Sequence, residues 1–448
     1  MSSTTAKIDM TQGPIMKNVM LFALPIVIGN VLQQLYTTVD ALVVGNYCGD
    51  ASLAAIGTSS QPVEVLLCIF LGIGSGVSIL VSQYSGAREC DRIRDLSQTA
   101  ISFVYCVGII LGVLGYFLAP WILSVMGVPE DAFAPSVSYT RIVFLGTLGN
   151  IGYNMNAGIL RGMGDSKASL WFLLVSCIAN VVLDLVLVAG VGMDVRGAAI
   201  ATIAAMYMSW AASIIYIKTR FPELELTVFP RKVVKRELRR MLTLGVPIGL
   251  NNSLFSFGHM AMQTFVNAQG MTFMAGASVA GRITGCTNVA INAVSAAATT
   301  FSGQNYGAQN IDRLRQGYIK IPLVNGLITL GLGLAIISFR MPLLGFFSED
   351  PMVLMYASRY VVTMLLSQWA FAVFNSISNI VNGVGLIRFT TIINLLMLWA
   401  VRIPGAYIIS TYFDGTYVML SIALSFFFGM FCMIFYYIFS KKWRAIIA

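Results

Sequence analysis

Apolar stretches long enough to cross a membrane recur along the whole chain. A transmembrane helix needs roughly 20 mainly apolar residues, and twelve such stretches can be read from the sequence. They predict helices at 17–45, 53–82, 97–120, 137–160, 168–190, 197–218, 241–266, 272–300, 317–340, 354–382, 389–411 and 416–440. The first stretch is too long for a signal peptide and no small-residue cleavage site follows it. We therefore expect an all-α integral membrane protein.

The composition and the placement of charge agree with this expectation. Of the 448 residues 57% are hydrophobic and 10% are charged, with a mean hydropathy of +0.79, whereas soluble domains carry about 25% charged residues. With the N-terminus placed in the cytoplasm, basic residues concentrate in the cytoplasmic turns and at 218–240, while the opposite turns hold Arg196 and Arg340. This is the positive-inside bias. The net charge of +9 therefore reflects topology in a cell membrane, with both termini cytoplasmic, rather than a nucleic-acid partner.

The sequence offers no signature of an enzyme or of a resident cofactor. The seven cysteines are scattered singly, with the spacing of neither a zinc site nor a disulfide framework. The segment RGMGDSK (161–167) lacks the phosphate-loop spacing, and the single histidine, His259, leaves no plausible hydrolytic triad. Energy for any transport must then come from an ion gradient.

The sequence contains an internal repeat. Residues 83–94, QYSGARECDRIR, align without gaps to 304–315, QNYGAQNIDRLR, at an offset of 221, and the same offset pairs Asn154 with Asn375. Each half carries six predicted spans, so both halves start on the same side of the membrane. This predicts two parallel six-helix lobes related by a pseudo-twofold axis along the membrane normal. The predicted division is an N-terminal lobe at 1–218, a cytoplasmic linker at 219–240 and a C-terminal lobe at 241–448.

A proline interrupts the first predicted helix of each half. Pro25 and Pro247 correspond at an offset of 222, and each removes one backbone hydrogen bond. Pro25 is either a static kink or a hinge that bends during transport.

Two carboxylates fall well inside predicted spans, where an Asp is about 2.5–3.5 kcal/mol uphill. Gln33, Tyr36 and Asp40 share one face of the first helix, and Asn180 and Asp184 share one face of the fifth. Both helices run outward, so the two acids are expected at similar depth, and Thr202 follows on the sixth helix. Carboxylate, amide and hydroxyl oxygens suit a hard cation such as Na⁺, and the same pair could exchange a proton, because two adjacent carboxylates repel when both are ionised.

A purely structural role stays open for each of these polar residues. Each Asp could be a local polar tether to a neighbouring helix, and Glu64 could lie in solvent at the outer boundary. His259 could be a packing residue. The second half does not repeat the acids, since Asp40 aligns with Met262 or Ala261 and Asp184 with Gly405. An ion site is therefore expected in the first half alone.

Over nearly its whole length the chain resembles the multidrug and toxic compound extrusion (MATE) transporters. The resemblance rests on LFALPI and TLGVPI at the two prolines, on VDALVVGNYCGDASLAAIG, on AGILRGMGDSKAS (157–169) and on RGAAIATIAA (196–205). It implies export of amphipathic, often cationic compounds through two lobes, by antiport of H⁺ or Na⁺, with no cofactor.

Within this family the chain is similar to the DinF-like branch. That resemblance implies cation or proton coupling at Asp40, Asn180, Asp184 and Thr202, and a substrate cavity including Tyr36 and Asn154, to which we add Gln33. The NorM-like branch has acids in the second lobe, on regions that read GLNNSLFSFGHMAMQ and FAVFNSISNIVNG here. A second-lobe cation site is therefore not expected.

Two rival interpretations remain. A flippase of lipid-linked cargo, from the wider superfamily, would use arginines in a central cavity, and Arg141, Arg282, Arg359 and Arg402 lie within or near spans. Twelve spans rather than fourteen, and the acidic first half, weigh against it. A channel or an intramembrane enzyme is the other rival, although no catalytic dyad is visible. The sequence leaves open the choice between H⁺ and Na⁺ and the identity of the substrate, and we expect a monomer.

Overall fold

The computed structural model is helical throughout the part of the chain that it describes. It describes residues 7–48, 50–128, 130–227, 229, 232–440, 443 and 445–446, with side chains for these except residues 41, 50–66 and 131. No strand occurs within those ranges. The predicted all-α fold class is confirmed.

Six rods make up the first half of the chain. The helices are α1 (Ile15–Cys48), α2 (Asp50–Gly86), α3 (Cys90–Val125), α4 (Glu130–Leu145), α5 (Thr147–Gly162), α6 (Ser166–Asp184) and α7 (Asp194–Arg220). Helices α4 and α5 are consecutive and form one rod. Helix α6 continues as a π-helical segment, Leu185–Gly190. A 3-10 turn, Pro222–Leu224, follows α7.

The second half repeats the pattern with one short addition. The helices are α8 (Lys235–Asn267), α9 (Met271–Gly307), α10 (Ile311–Ser338), α11 (Arg340–Gly345), α12 (Pro351–Gly383), α13 (Ile387–Leu395), α14 (Ile403–Tyr412) and α15 (Met419–Phe439). A π-helical segment, Leu396–Arg402, joins α13 to α14 in one rod. A 3-10 turn, Gly415–Tyr417, precedes α15. The prediction of twelve spanning helices is confirmed.

Length and composition alone identify fewer spans than the fold contains. Within the described residues, nine helices are long and apolar enough to cross a membrane. The remaining rods are α4 with α5, α8 and α9. Helices α4 and α5 have 16 residues each, so neither reaches a full span on its own.

The contacts divide the chain into two compact units whose boundaries fall inside helices. One unit contains Leu24–Leu250, and the other contains Asp9–Ala23 together with Asn251–Ala448. Helix α1 therefore changes unit just before Pro25, and α8 changes unit just after Pro247. These units are defined by contacts, whereas the lobes at 1–218 and 241–448 were defined by the sequence repeat, so those lobes stay a prediction.

In the first unit, the repeated motif holds the start of α8. The Tyr84 hydroxyl donates a hydrogen bond to Glu237 Oε2 over 2.5 Å, and Arg240 Nη1 donates to the Tyr84 hydroxyl over 2.9 Å. Because Tyr84 and Glu237 are both buried, these charge-assisted bonds fix the entry of α8.

In the second unit, the matching motif position holds the segment that leads into α1. Asn305 stands where the first half has Tyr84, and its Nδ2 donates to the Met10 carbonyl over 3.0 Å. Met10 N donates to Gln304 Oε1 over 3.0 Å, and Arg313 Nε donates to the same Met10 carbonyl over 2.9 Å. The motif that reveals the repeat in the sequence thus performs the same structural task in both units.

Glycines let α2 and the start of α8 approach backbone to backbone. A Cβ atom at Gly72 would lie 2.1 Å from Gly249 N, and one at Gly76 would lie 2.7 Å from Gly245 N. Real Cβ atoms do not approach so closely, so these positions require glycine. The glycines of GIGSG (72–76) are therefore contact residues of this helix pair.

Candidate functional site

Helices α1 and α6 bring Asp40 and Asp184 together in the first unit. Asp40 is half-buried on α1. Asp184 is fully buried and is the last residue of α6 before the π-helical segment Leu185–Gly190. π-Helical turns are rare and frequently mark functional sites. The two carboxyl groups lie within hydrogen-bonding reach of each other, so the structure brings together the two acids that the sequence placed in one site.

The amide and the hydroxyl predicted for the same site are present beside them. Asn180 is 1% exposed on α6 and Thr202 is 8% exposed on α7. Asn180 Nδ2 donates a hydrogen bond to Thr202 Oγ1 over 3.4 Å. The Tyr36 hydroxyl lies within hydrogen-bonding reach of the same threonine, so α1, α6 and α7 all contribute to one polar cluster.

Four oxygen atoms of this cluster are buried and accept no hydrogen bond from the residues that the structure describes. They are Asp40 Oδ1, Asn180 Oδ1 and both carboxylate oxygens of Asp184. Buried polar atoms normally have partners, and an unpaired one costs about 1–3 kcal/mol, or more if charged. Two ionised carboxylates cannot donate to each other, so their contact becomes favourable only with a proton between them or a cation beside them.

The donor set fits either occupant. Every available atom is an oxygen of a carboxylate, an amide or a hydroxyl, which is the chemistry that hard cations select. A Na⁺ ion would be held by Asp40, Asn180, Asp184 and Thr202. A proton would be held by the carboxyl pair alone.

The predicted substrate residues line a cavity of about 290 Å³ in the same unit. Gln33, Tyr36, Asn154 and Thr202 all line it, and so does Pro25. Asn154 also donates through Nδ2 to Asn150 Oδ1 over 2.9 Å. Thr202 belongs both to the cavity wall and to the acidic cluster, and it therefore connects the two.

Pro25 is buried inside an uninterrupted α1. Its neighbour Gly29 on the same wall faces Leu173 of α6, where a Cβ would meet Leu173 Cδ2 at 3.3 Å. The wall around Pro25 is therefore closely packed on the α6 side and open on the cavity side.

Some residues of these surroundings were not anticipated as site residues. Tyr139 on α4 is 7% exposed and interacts electrostatically with Asp40, Asp184 and Tyr36. Asn150 and Arg161 on α5 line the cavity. The sequence placed Arg161 among the cytoplasmic charges, and no spacing relates Tyr139 to the acids. The side chain of Glu64 lies outside the described residues.

His259 lies in a different place from the acids. It is on α8 and lines a cavity of about 560 Å³ in the second unit. Its ring meets that of Phe255 edge-on, at a centroid distance of 5.0 Å. The residues lining this cavity include no Asp or Glu, whereas Arg402 is among them.

Taken together, twelve helices in two repeated halves and a buried acidic cluster beside a polar cavity define a multi-pass membrane transport protein. The MatE family model matches the chain twice, over residues 25–186 and 247–408. The chain belongs to the MATE family of multidrug transporters, and it is not an enzyme. The two matches also confirm the internal repeat.

Individual relatives agree with this assignment. The chain is 29% identical over 404 residues to the probable multidrug resistance protein YoeA of Bacillus subtilis, covering 88% of this chain and 87% of the relative. It is 27% identical over 438 residues to YpnP of the same organism, also a probable multidrug resistance protein, covering 98% of each. A solved structure described as MATE in the bent conformation superposes with a TM-score of 0.91 at 21% identity over 99% of both chains. At that identity the likeness shows the fold.

Proposed function

We propose that this protein is a secondary active exporter of amphipathic organic cations, driven by H⁺ or Na⁺ through the carboxylates of its first half. The observation that carries the proposal is the Asp40–Asp184 pair, with four buried oxygen atoms in its cluster that accept no hydrogen bond within the described part of the chain. The contact between the two carboxyl groups is stable only with a proton or a cation bound, and an ion gradient across the membrane supplies that ion. The multidrug resistance relatives YoeA and YpnP support small organic molecules as the cargo.

The geometry suggests how an ion and a substrate could compete. Thr202 faces the cavity and also accepts from Asn180, so an occupant of either place alters the other through one side chain. Antiport needs this negative coupling, because each ligand must weaken the binding of the other. A cationic substrate in the cavity would be attracted to the ionised acids, and ion binding at Asp40 and Asp184 would remove that attraction.

Alternating access is proposed to involve the first helix. Pro25 lines the cavity and lies where α1 passes from one contact unit to the other. A proline there lacks one backbone hydrogen bond, so bending is less costly than elsewhere in the helix. The structural relative described as bent is consistent with such a movement in this fold.

The finer placement of the protein follows from its sequence. We propose the DinF-like branch because the acids lie in the first half. The positive-inside bias favours a cell-membrane protein with both termini cytoplasmic. We further propose that it acts as a monomer and has no nucleic-acid partner.

Dye efflux from proteoliposomes tests the proposal. Ethidium export would be followed under an imposed proton gradient and, separately, under an imposed sodium gradient. Wild type should export dye under one of them, which identifies the ion, and Asp40→Asn should fall to the level of protein-free vesicles. Asp312→Asn is the matched control, because that carboxylate is 89% exposed. Equal export by Asp40→Asn and wild type would reduce Asp40 to a polar tether.

Transport of lipid-linked cargo is the second candidate. The arginines that the sequence offered for it lie in different surroundings. Arg402 is buried and lines the second cavity. Arg141 donates to the Tyr116 carbonyl over 3.2 Å, and Arg359 lies 4.6 Å from the centre of the Tyr417 ring. A pyrophosphate would need several cationic groups in one cavity, so this candidate leads only if no gradient drives dye export.

A further inference from the structure

A buried arginine with an unpaired nitrogen lies in the second unit. Arg402 ends the π-helical segment Leu396–Arg402 and is 2% exposed. Its Nε donates to Ser425 Oγ over 3.1 Å, while Nη2 is buried and has no hydrogen-bond partner among the residues that the structure describes. The guanidinium carbon lies 5.6 Å from the centre of the Phe255 ring and 5.3 Å from that of Phe426.

These contacts leave the charge only partly compensated. Cation–π contacts with two rings and one hydrogen bond to a neutral hydroxyl offset only part of the free energy needed to take a guanidinium out of water. Within the described part of the chain, no carboxylate forms a salt bridge with Arg402. A bound anion from outside the protein would stabilise this partly compensated guanidinium.

The cavity next to Arg402 has room for one. Its volume is about 560 Å³, within the range of about 300–1,000 Å³ typical of small-molecule sites. Phe255, Phe371 and Phe426 provide apolar wall, while Asn288 and Gln263 provide amides. Gly281 also lines it, and a Cβ added there would meet nothing within 4 Å.

We propose that this second cavity binds an amphipathic organic monoanion, whose carboxylate or sulfonate pairs with Arg402 and whose ring system packs on the phenylalanines. A guanidinium presents parallel N–H groups that match the two oxygens of a carboxylate. One cationic group neutralises one negative charge, so a monoanion fits better than a di- or triphosphate. This site is separate from the acidic cluster and widens the range of molecules that the protein recognises.

A size-matched series of naphthalene probes tests the proposal on the purified full-length protein. Binding of 1-naphthoate, of the neutral 1-naphthamide and of cationic 1-naphthylmethylammonium would be measured by calorimetry. Naphthoate should bind more tightly than naphthamide, and binding of the cationic probe to the cavity of the first unit should be unchanged in Arg402→Gln. Arg402→Gln should weaken naphthoate binding at least about tenfold, and Arg402→Lys should lose less, because it keeps the charge but not the paired donors.

Three further variants guard against misfolding as an explanation. Gly281→Leu places a side chain in the cavity and leaves Arg402 unchanged, so it should also weaken naphthoate binding. Gly331→Leu, on α10 in open space, should not. Arg359→Gln should bind as wild type does. Naphthoate binding no tighter than naphthamide, or unchanged in Arg402→Gln, would overturn the proposal. Because the assay needs no ion gradient, failure here is distinguishable from failure of Asp40-dependent export.

Discussion

Asn180 donates its one described side-chain hydrogen bond to Thr202, over 3.4 Å, and its own carbonyl oxygen Oδ1 accepts none. The bond fixes the orientation of the amide, because the nitrogen is committed to the hydroxyl and the oxygen is left for another partner. Asn180 Oδ1 is therefore oriented so that it could ligate an ion bound beside Asp184.

Removing the Thr202 hydroxyl should therefore weaken ion binding without removing an acid. We expect Thr202→Val to raise the ion concentration for half-maximal dye export roughly tenfold, the usual scale for losing a residue that orients a ligand. Thr202→Ser keeps the hydroxyl and should stay close to wild type. The measurement is the ion dependence of export at saturating dye. An unchanged ion dependence in Thr202→Val would separate the threonine from the ion site.

The two acids should behave as one unit. Asp40→Asn and Asp184→Asn should each abolish gradient-driven export, and the double variant should be no worse than either single one, because groups that act together are not additive. Export rates of the four proteins form the cycle. Export that persists in one single variant and is lost in the double variant would show that the two carboxylates serve different functions.

The close contact of α2 with α8 should make stability sensitive to substitution of the glycines that form it. Gly72→Ala places a Cβ 2.1 Å from Gly249 N, and overpacking of this kind costs about 1–3 kcal/mol. We expect a lower midpoint of thermal unfolding in detergent. Gly331→Ala, where a Cβ meets nothing within 4 Å, is the control and should be neutral or slightly stabilising. Equal midpoints for the two variants would mean that the helices can separate freely.

Arg313 should order the segment that precedes α1. Its Nε and Nη2 donate to the carbonyls of Met10 and Gln12, each over 2.9 Å, and such charged hydrogen bonds contribute about 1.5–3 kcal/mol. Arg313→Met should speed amide exchange of residues 9–13 by roughly tenfold or more. In Arg315→Met, which disrupts a 3.8 Å contact with exposed Asp312, exchange there should stay as in wild type. Unchanged exchange in Arg313→Met would show that other contacts order the segment.

The sequence predicted the helices well because run length and the repeat are visible in it. Asp40, Asn180 and Asp184 could be related to one another because residues on one helical face share a spacing, and matched depth follows from helix direction. Tyr139 could not be found, since it reaches the cluster from another helix and no spacing links it to the acids. Arg402 was known only as an arginine within or near a span. Its burial could not be read from the sequence, and no signal in LMLWAVR indicates the π-helical segment that it ends.

The central claim is that Asp40 couples substrate movement to an ion, and coupling between binding sites is reciprocal. Proteoliposomes would be prepared with no initial ion gradient and given a steep ethidium gradient, while internal pH and internal sodium are recorded. The account predicts that wild type and Asp312→Asn drive one of these ions in the direction opposite to the dye, and that Asp40→Asn drives neither. Dye crossing through the wild-type protein with no ion movement would contradict it.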